Sequence, residues 1–363
     1  MTETHPDETI TPYLKRFRRW KLIVILLFFI LIITIIFSVG IGPMQISPNN
    51  VVQILAKNTP LIGDLFTGEI SLIESEVVLN VRMPRILAAA FVGVALACSG
   101  VVLQGLLRNP MADPYVLGIS AGASLGASLA LAFGFGMSFL GYLYSVPLLA
   151  FIGALGTILL VYAISQRSGG VSMLTMLLIG VAINSFFSAI VALVKITVSE
   201  ALHGIVYWIL GSLQVSGWNH VIVVTPLILA GTLVACFYGR DLNIISLGET
   251  QAQHLGVDTE SVKKKLLICA SLVTAAAVSI SGIIGFIGLI VPHIARILVG
   301  PDHRILIPSS ALAGAVILIL CDTVARTVMS PAEIPVGVLT ALLGCPFFIY
   351  LLLRKRTTFG GSE

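Results

Sequence analysis

The sequence predicts an all-α polytopic membrane protein with about ten transmembrane helices. Three observations carry that reading: the balance of apolar to charged residues, the length of the apolar runs, and the sidedness of Lys and Arg between them. Of 363 residues, 57% are hydrophobic and 10% charged. Soluble domains run at roughly 45–50% apolar and about 25% charged. A soluble fold of this length has nowhere to hide so much apolar surface, whereas a bilayer demands it on the outside. The 34 glycines suit helices that approach closely in lipid.

The first apolar run, Leu22–Val39, follows the basic residues Lys15, Arg16, Arg18, Arg19 and Lys21. It exceeds the roughly 7–15 residues of a signal-peptide core, and no A-x-A site follows. It reads as a retained first span, with residues 1–21 as a basic, disordered cytoplasmic tail. Further runs lie near residues 86–107, 114–134, 143–163, 173–198, 220–238, 305–325 and 335–353. The stretch 265–299 is too long for one crossing, and Ser281-Gly282 in its middle splits it in two. The count is then ten, with a permease domain over 22–354 and a cytoplasmic tail at 355–363. Both termini are expected inside. Sixteen Lys and Arg fall on the inner side, among them Arg108, Arg167, Lys263–Lys265, Arg296 and Arg304. Five fall outside: Lys57, Arg82, Arg85, Lys195 and Arg326. That asymmetry is the positive-inside rule, and nine spans would violate it at the C-terminal end.

Three connections stand out. The outer stretch 42–81 is polar, carries Glu69, Glu74 and Glu76, and reads as a cap over the first helices. Gly204–Ser216, with Tyr207 and Trp208, is too short to cross and predicts a short interfacial helix. The inner segment 239–265 is long, polar and charged. Ser246 or Asn243 is positioned to cap a short helix that Gly256 ends. So structured a loop reads as a docking element for a cytoplasmic partner.

The chemistry that is missing narrows the function. No G-x-x-x-x-G-K-[ST] phosphate loop, no zinc-spaced Cys/His cluster and no G-x-S-x-G nucleophile elbow occurs. The five cysteines form no CxxC pair and read as small buried residues. The modest net charge of +4 points to no nucleic-acid partner. Ion-coupled carriers place acids at mid-membrane. Here the acid within a span is Asp322, near an outer helix end, and Arg326 four residues on is spaced to pair with it. An ion-coupled secondary transporter is therefore the alternative reading, and transport energised by a separate protein fits better. Gln104 and Asn184 are polar within spans and either face a pathway or bond across helices. His293, after Pro292, is more commonly a structural hydrogen-bonder than a ligand.

Four motifs then resemble the FecCD/BtuC-type permeases. They are Arg82-Met-Pro-Arg85 leading into Gln104; Arg108-Asn-Pro-Met-Ala-Asp113-Pro-Tyr-Val-Leu-Gly118 with Gly122; Gly282-Ile-Ile-Gly-Phe-Ile-Gly-Leu-Ile-Val-Pro292-His293 through Arg304; and Asp322-Thr-Val-Ala-Arg326 with Pro331-Ala-Glu333-Ile-Pro335-Val-Gly337. The resemblance covers residues 80–354. It implies the membrane subunit of a type II ABC importer: two ten-helix permeases, most simply a homodimer, around a central pathway. Two ATPase subunits, which hold ATP and Mg, bind below, and an extracytoplasmic binding protein delivers a metal chelate, namely a ferric siderophore, haem or cobalamin. This chain would then hold no cofactor and be no enzyme itself. The resemblance further implies that spans 5 and 10 line the pathway. It makes Gly248, Glu249, Ala252, Leu255 and Gly256 the ATPase-coupling segment, and Arg82, Arg85 and Arg326 the docking residues for the binding protein. Gly118, Gly122, Gly282 and Gly337 are expected to supply slack between moving helices, near Pro292 and Pro335.

Overall fold

A computed structural model describes residues 6–58, 71–135, 142–167, 173–214 and 216–359. Side chains of 6–17, 142–143, 352 and 354–359 are outside that description, and so is Glu69.

Ten long helices follow one another: α1 (Pro6–Gly40), α2 (Met83–Leu106), α3 (Ile119–Phe133), α4 (Tyr142–Arg167), α5 (Met173–Thr197), α6 (Trp218–Phe237), α7 (Thr259–Ser281), α8 (Ile287–Val299), α9 (His303–Ala325) and α10 (Val336–Phe359). Seven are long and apolar enough to cross a bilayer; α3, α8 and α10 contribute shorter apolar stretches. The all-helical expectation and the split near Ser281 are borne out. α1 begins at Pro6 and α10 runs to Phe359, so both helices extend into the stretches read as tails. Backbone hydrogen bonds propagate from an existing turn at little further entropic cost, so a helix seeded in the apolar span extends through its basic flank.

The expected inner and outer basic residues meet at opposite ends. Arg304 lies over the Trp20 ring at 5.5 Å, and Lys265 over Tyr238 at 5.7 Å. Arg82, Arg85 and Arg326 gather at the other end. We call these ends inner and outer after the charge argument.

Burial ranks the helices. The apolar window of α2 is 83% buried, that of α7 72% and that of α9 67%, against 17% for α1 and for α5. α2 is therefore the central post, and α1 and α5 turn apolar surface outward. With no water to expel, helices in lipid associate through close contact, and glycine sets how close α2 comes to its neighbours. A β-carbon at Gly93 would overlap the Gly314 carbonyl of α9, and one at Gly100 would overlap the Gly288 carbonyl of α8.

α8 spans only about 20 Å at 1.5 Å per residue, short of a hydrocarbon core of about 30 Å. The non-helical stretch from Gly282 to Phe286 supplies the rest, since Gly288 already sits against Gly100, three-quarters of the way along α2. Gly282 (φ +64°) and Phe286 (φ +68°) bracket this descent with left-handed backbone. Irregular backbone at this depth needs internal partners. The Tyr115 hydroxyl donates to the Ile284 carbonyl (3.1 Å) and accepts from the Ile284 N–H (3.3 Å). Tyr115 belongs to the short Pro114–Leu117 turn that precedes α3, so the two interrupted crossings brace each other.

The outer cap forms as expected from helices Pro48–Lys57 and Leu72–Glu76, joined by an Asn50–Glu74 hydrogen bond of 2.9 Å. The interfacial helix is present at Leu202–Ile209. Of the cysteines, Cys98, Cys269 and Cys321 are buried, Cys236 is half-buried and Cys345 is exposed on α10.

Gly93→Ala is expected to cost about 1–3 kcal/mol through overpacking. Gly156→Ala on α4, where a β-carbon meets nothing within 4 Å, should be neutral or stabilise by up to about 1 kcal/mol. Thermal unfolding of both variants in one detergent checks the contrast.

Candidate functional site

At the inner end, segment 239–258 folds as two short helices, Gly239–Leu247 and Glu249–His254, broken at Gly248. Gly248 has φ +142° and Gly256 φ +81°, both in the region that favours glycine. Gly256 ends the second helix as expected. The expected caps are corrected. Asn243 and Ser246 both lie inside the first helix, where the Ser246 hydroxyl donates to the Asn243 carbonyl (2.6 Å). Asn243 instead ties this element to the α8–α9 turn. Its amide donates to Asp302 (2.8 Å) and its side-chain oxygen accepts from the His303 N–H (2.8 Å).

The second helix stands on Ala252, which is fully buried, and presents Leu255 to the outside at 63% exposure. An apolar side chain held out on a short braced helix is a ready contact for another protein. Glu249 is engaged within the chain, by ion pairs with Lys263 and, at 4.0 Å, with Arg108. These pairs hold the segment to the starts of α7 and of the α2–α3 connection. Sequence spacing gave no hint of either partner.

Asp302 is the hub of the inner end. Burial alone would raise its carboxyl, but hydrogen bonds from Arg304 and Asn243 and the adjacent guanidinium outweigh it and hold the pKa down to about 2. The Arg304 guanidinium is bonded to it at 2.6 Å.

At the outer end, the three arginines are buried and turned inward. Arg82 donates to the carbonyls of Val39 (2.7 Å), Gly40 (3.1 Å) and Met44, satisfying the end of α1. Arg85 grips Asp322 through Nε (3.0 Å) and Nη2 (2.9 Å), and Glu333 through Nη1 (2.9 Å). Arg326 donates to the Ser38 carbonyl and hydroxyl. One expectation is corrected here. Asp322 pairs with Arg85 across the bundle, not with Arg326 four residues on, because α9 directs the carboxylate toward α2. The three arginines named for docking are buried. With exposures of 4%, 9% and 3% they knit α1, α2, α9 and the loop before α10 together. Breaking one partner of a buried charge pair is costly.

The residues expected along a pathway divide. Gln104 is a cross-link: its amide donates to the Leu289 carbonyl (3.3 Å) and its oxygen accepts from Arg296 (3.0 Å), joining α2 to α8. Asn184 is exposed on α5, beside the exposed Val181, Ser185 and Ser188. An amide there is costly against lipid, so this face suits a partner or water. His293 and the buried Pro292 lie on α8, His293 beside a small cavity with Met111 and Phe348. The glycines sit at places of close contact. A β-carbon at Gly122 would overlap Thr157, one at Gly282 the Trp208 carbonyl, and one at Gly337, next to Pro335, the Leu210 carbonyl. Gly118 (φ +83°) makes the turn into α3.

Comparison with known proteins agrees with this architecture. The FecCD transport family model matches residues 30–354. The chain is 44% identical over 284 residues to the hemin transport system permease protein HmuU of Yersinia pestis, covering 78% of this chain and 85% of that protein. It is 45% identical over 282 residues to the cobalamin import system permease protein BtuC of Halobacterium salinarum, covering 76% and 73%. A solved inward-facing structure of a "metal-chelate type ABC transporter" superposes with a TM-score of 0.79 at 36% identity, covering 92% of this chain and 99% of that one.

Two measurements test the ends separately. Asp302 ionises at about 2 in the folded chain against about 3.9 unfolded. Its stabilisation is therefore complete above about pH 4 and is lost as pH falls through 2. Asp302→Asn should lower the melting temperature at pH 7, and the gap to wild type should close by about pH 2. At the outer end, Arg85→Met leaves Asp322 buried and uncompensated and should cost about 3–5 kcal/mol. Arg85→Met with Asp322→Leu should recover part of that loss, read as the coupling energy of a double-mutant cycle.

Proposed function

The chain belongs to the FecCD transport family, and from that premise we propose that it is the multi-pass permease subunit of an ATP-driven importer that carries a metal chelate across the cytoplasmic membrane. The cargo class is ferric siderophore, haem or cobalamin. A second permease, most simply another copy, faces it through α5 and α10. Two ATPase subunits bind ATP and Mg at the inner end, and an extracytoplasmic binding protein delivers the chelate at the outer end. Both termini lie inside.

The observation that carries the coupling role is the segment from Gly248 to Gly256: an exposed Leu255 on a short helix seated by Ala252 and bounded by two glycines with positive φ. Through Glu249 it is pinned to Lys263 and Arg108, and through Asn243 to Asp302. A push by an ATPase on Leu255 therefore reaches α2, α7 and α9 together. ATP shifts the balance of conformations only by binding one of them better, and this junction is where such a difference enters the bundle. The chelate specificity rests mainly with the binding protein.

At the outer end, Arg82, Arg85 and Arg326 shape the docking surface by holding four chain segments in place. A carboxylate of the binding protein would reach them only by displacing Asp322, Glu333 or the α1 carbonyls. The ion-coupled alternative loses its best candidate group, because Asp322 is occupied by Arg85.

Leu255→Asp should leave the fold intact, since the side chain is exposed, and should reduce ATP-driven uptake at least tenfold in proteoliposomes of the assembled transporter. Uptake at the wild-type rate would remove the coupling role from this segment.

A further inference from the structure

Where α7 enters the bundle from the inner end, three consecutive lysines go different ways. Lys263 turns inward to Glu249. Lys264 lies over the Tyr162 ring of α4, 5.8 Å from its centroid. Lys265 lies over the Tyr238 ring beside the end of α6, at 5.7 Å. Both outer lysines are exposed. Among the described residues neither stands within 4.0 Å of a carboxylate. Glu260, one turn before Lys264, borders the same small inner-end cavity without pairing with it.

α7 packs against α4 on one side and α6 on the other, as the floor of a groove with those two helices as walls. One turn deeper on the three elements stand Ile268, Leu159 and Val234, all apolar and exposed. Nearer the outer end the same helices frame an apolar cavity of about 320 Å³, with Ala276 on its floor and no charged residue in its lining. The groove therefore carries cations at its inner mouth and apolar surface from there on.

We infer that this groove binds one anionic phospholipid of the inner leaflet, with its phosphate between Lys264 and Lys265 and its acyl chains laid over Ile268. A lysine at a membrane interface commonly extends its head into water. These two are held instead by ring faces on opposite walls, which fixes both ammonium groups at the mouth of the groove. Each ammonium has three N–H donors, and a ring face leaves donors over for phosphate oxygens. Basic sites between spans on the cytoplasmic side attract anionic headgroups. An ethanolamine headgroup would bring its own ammonium up to the two lysines, whereas a headgroup of net negative charge brings none. A free anion would use the lysines and gain nothing from the apolar walls, which commits the site to a lipid.

Native mass spectrometry of the assembled transporter tests this, with phosphatidylglycerol and phosphatidylcholine of identical chains as probes. One phosphatidylglycerol per permease should be retained, about tenfold more tightly than phosphatidylcholine. Lys264→Gln with Lys265→Gln should abolish that preference, and Lys264→Arg with Lys265→Arg should keep it. Arg18→Gln with Arg19→Gln removes the same charge from the inner end of α1 and should change nothing. Tryptophan fluorescence of Ile268→Trp, corrected for wild type, should be quenched more by phosphatidylglycerol with brominated chains than by brominated phosphatidylcholine. Equal loss of preference in the α1 variant would reduce the site to general surface charge and overturn it. So would an unchanged preference in the Lys→Gln variant, or quenching that does not distinguish the two lipids. Displacement by inorganic phosphate beyond that by chloride at equal ionic strength would make it a free-anion site and overturn the lipid.

Discussion

The close approach of α2 to α9 and α8 is the constraint on which the rest of the bundle depends. Gly93 against Gly314 and Gly100 against Gly288 put backbone against backbone. Helices in lipid gain from such contacts what soluble helices gain from expelling water. Once α2 is fixed at the centre, α9 directs Asp322 at Arg85. α8 must then start deep in the bundle, and the chain from Gly282 to Phe286 must descend without helical hydrogen bonds. Tyr115 meets the polar groups of Ile284 left over by that descent. The interrupted crossings are thus a consequence of where α2 allows α8 to begin.

The two ends solve the problem of charge in a membrane protein differently. The outer arginines are buried and donate to helix-end carbonyls, the Ser38 hydroxyl and two acids, which ties four chain segments together at that end. The inner charges are more exposed and paired in small groups: Glu249 with Lys263 and Arg108, and Asp302 with Arg304 and Asn243. Exposed pairs are worth little each and rearrange cheaply. That difference is what the proposed coupling and docking roles would require of the two ends.

Much of this was legible along the chain. Ten crossings, the break at Ser281-Gly282, the interfacial helix at Tyr207-Trp208 and a structured inner loop ending at Gly256 follow from apolar run length, charge sidedness and glycine placement. These properties are local, and the bilayer imposes one length and one polarity on every span.

Pairing was not legible. The spacing of Asp322 and Arg326 suggested an ion pair, yet Asp322 belongs to Arg85, 237 residues away in the chain, and Arg326 belongs to Ser38. The arginines named for docking are buried and join four chain segments, and the glycines named for slack sit where helices touch. Lys264 and Lys265 are neighbours in the chain, yet they lie over rings from two different walls of a groove. The sequence by itself determined which segments enter the membrane, because that depends on each segment's own transfer free energy. Which polar groups meet, and whether a glycine hinges or packs, was decided only by the tertiary structure, because both depend on what the folded bundle brings within a few ångströms.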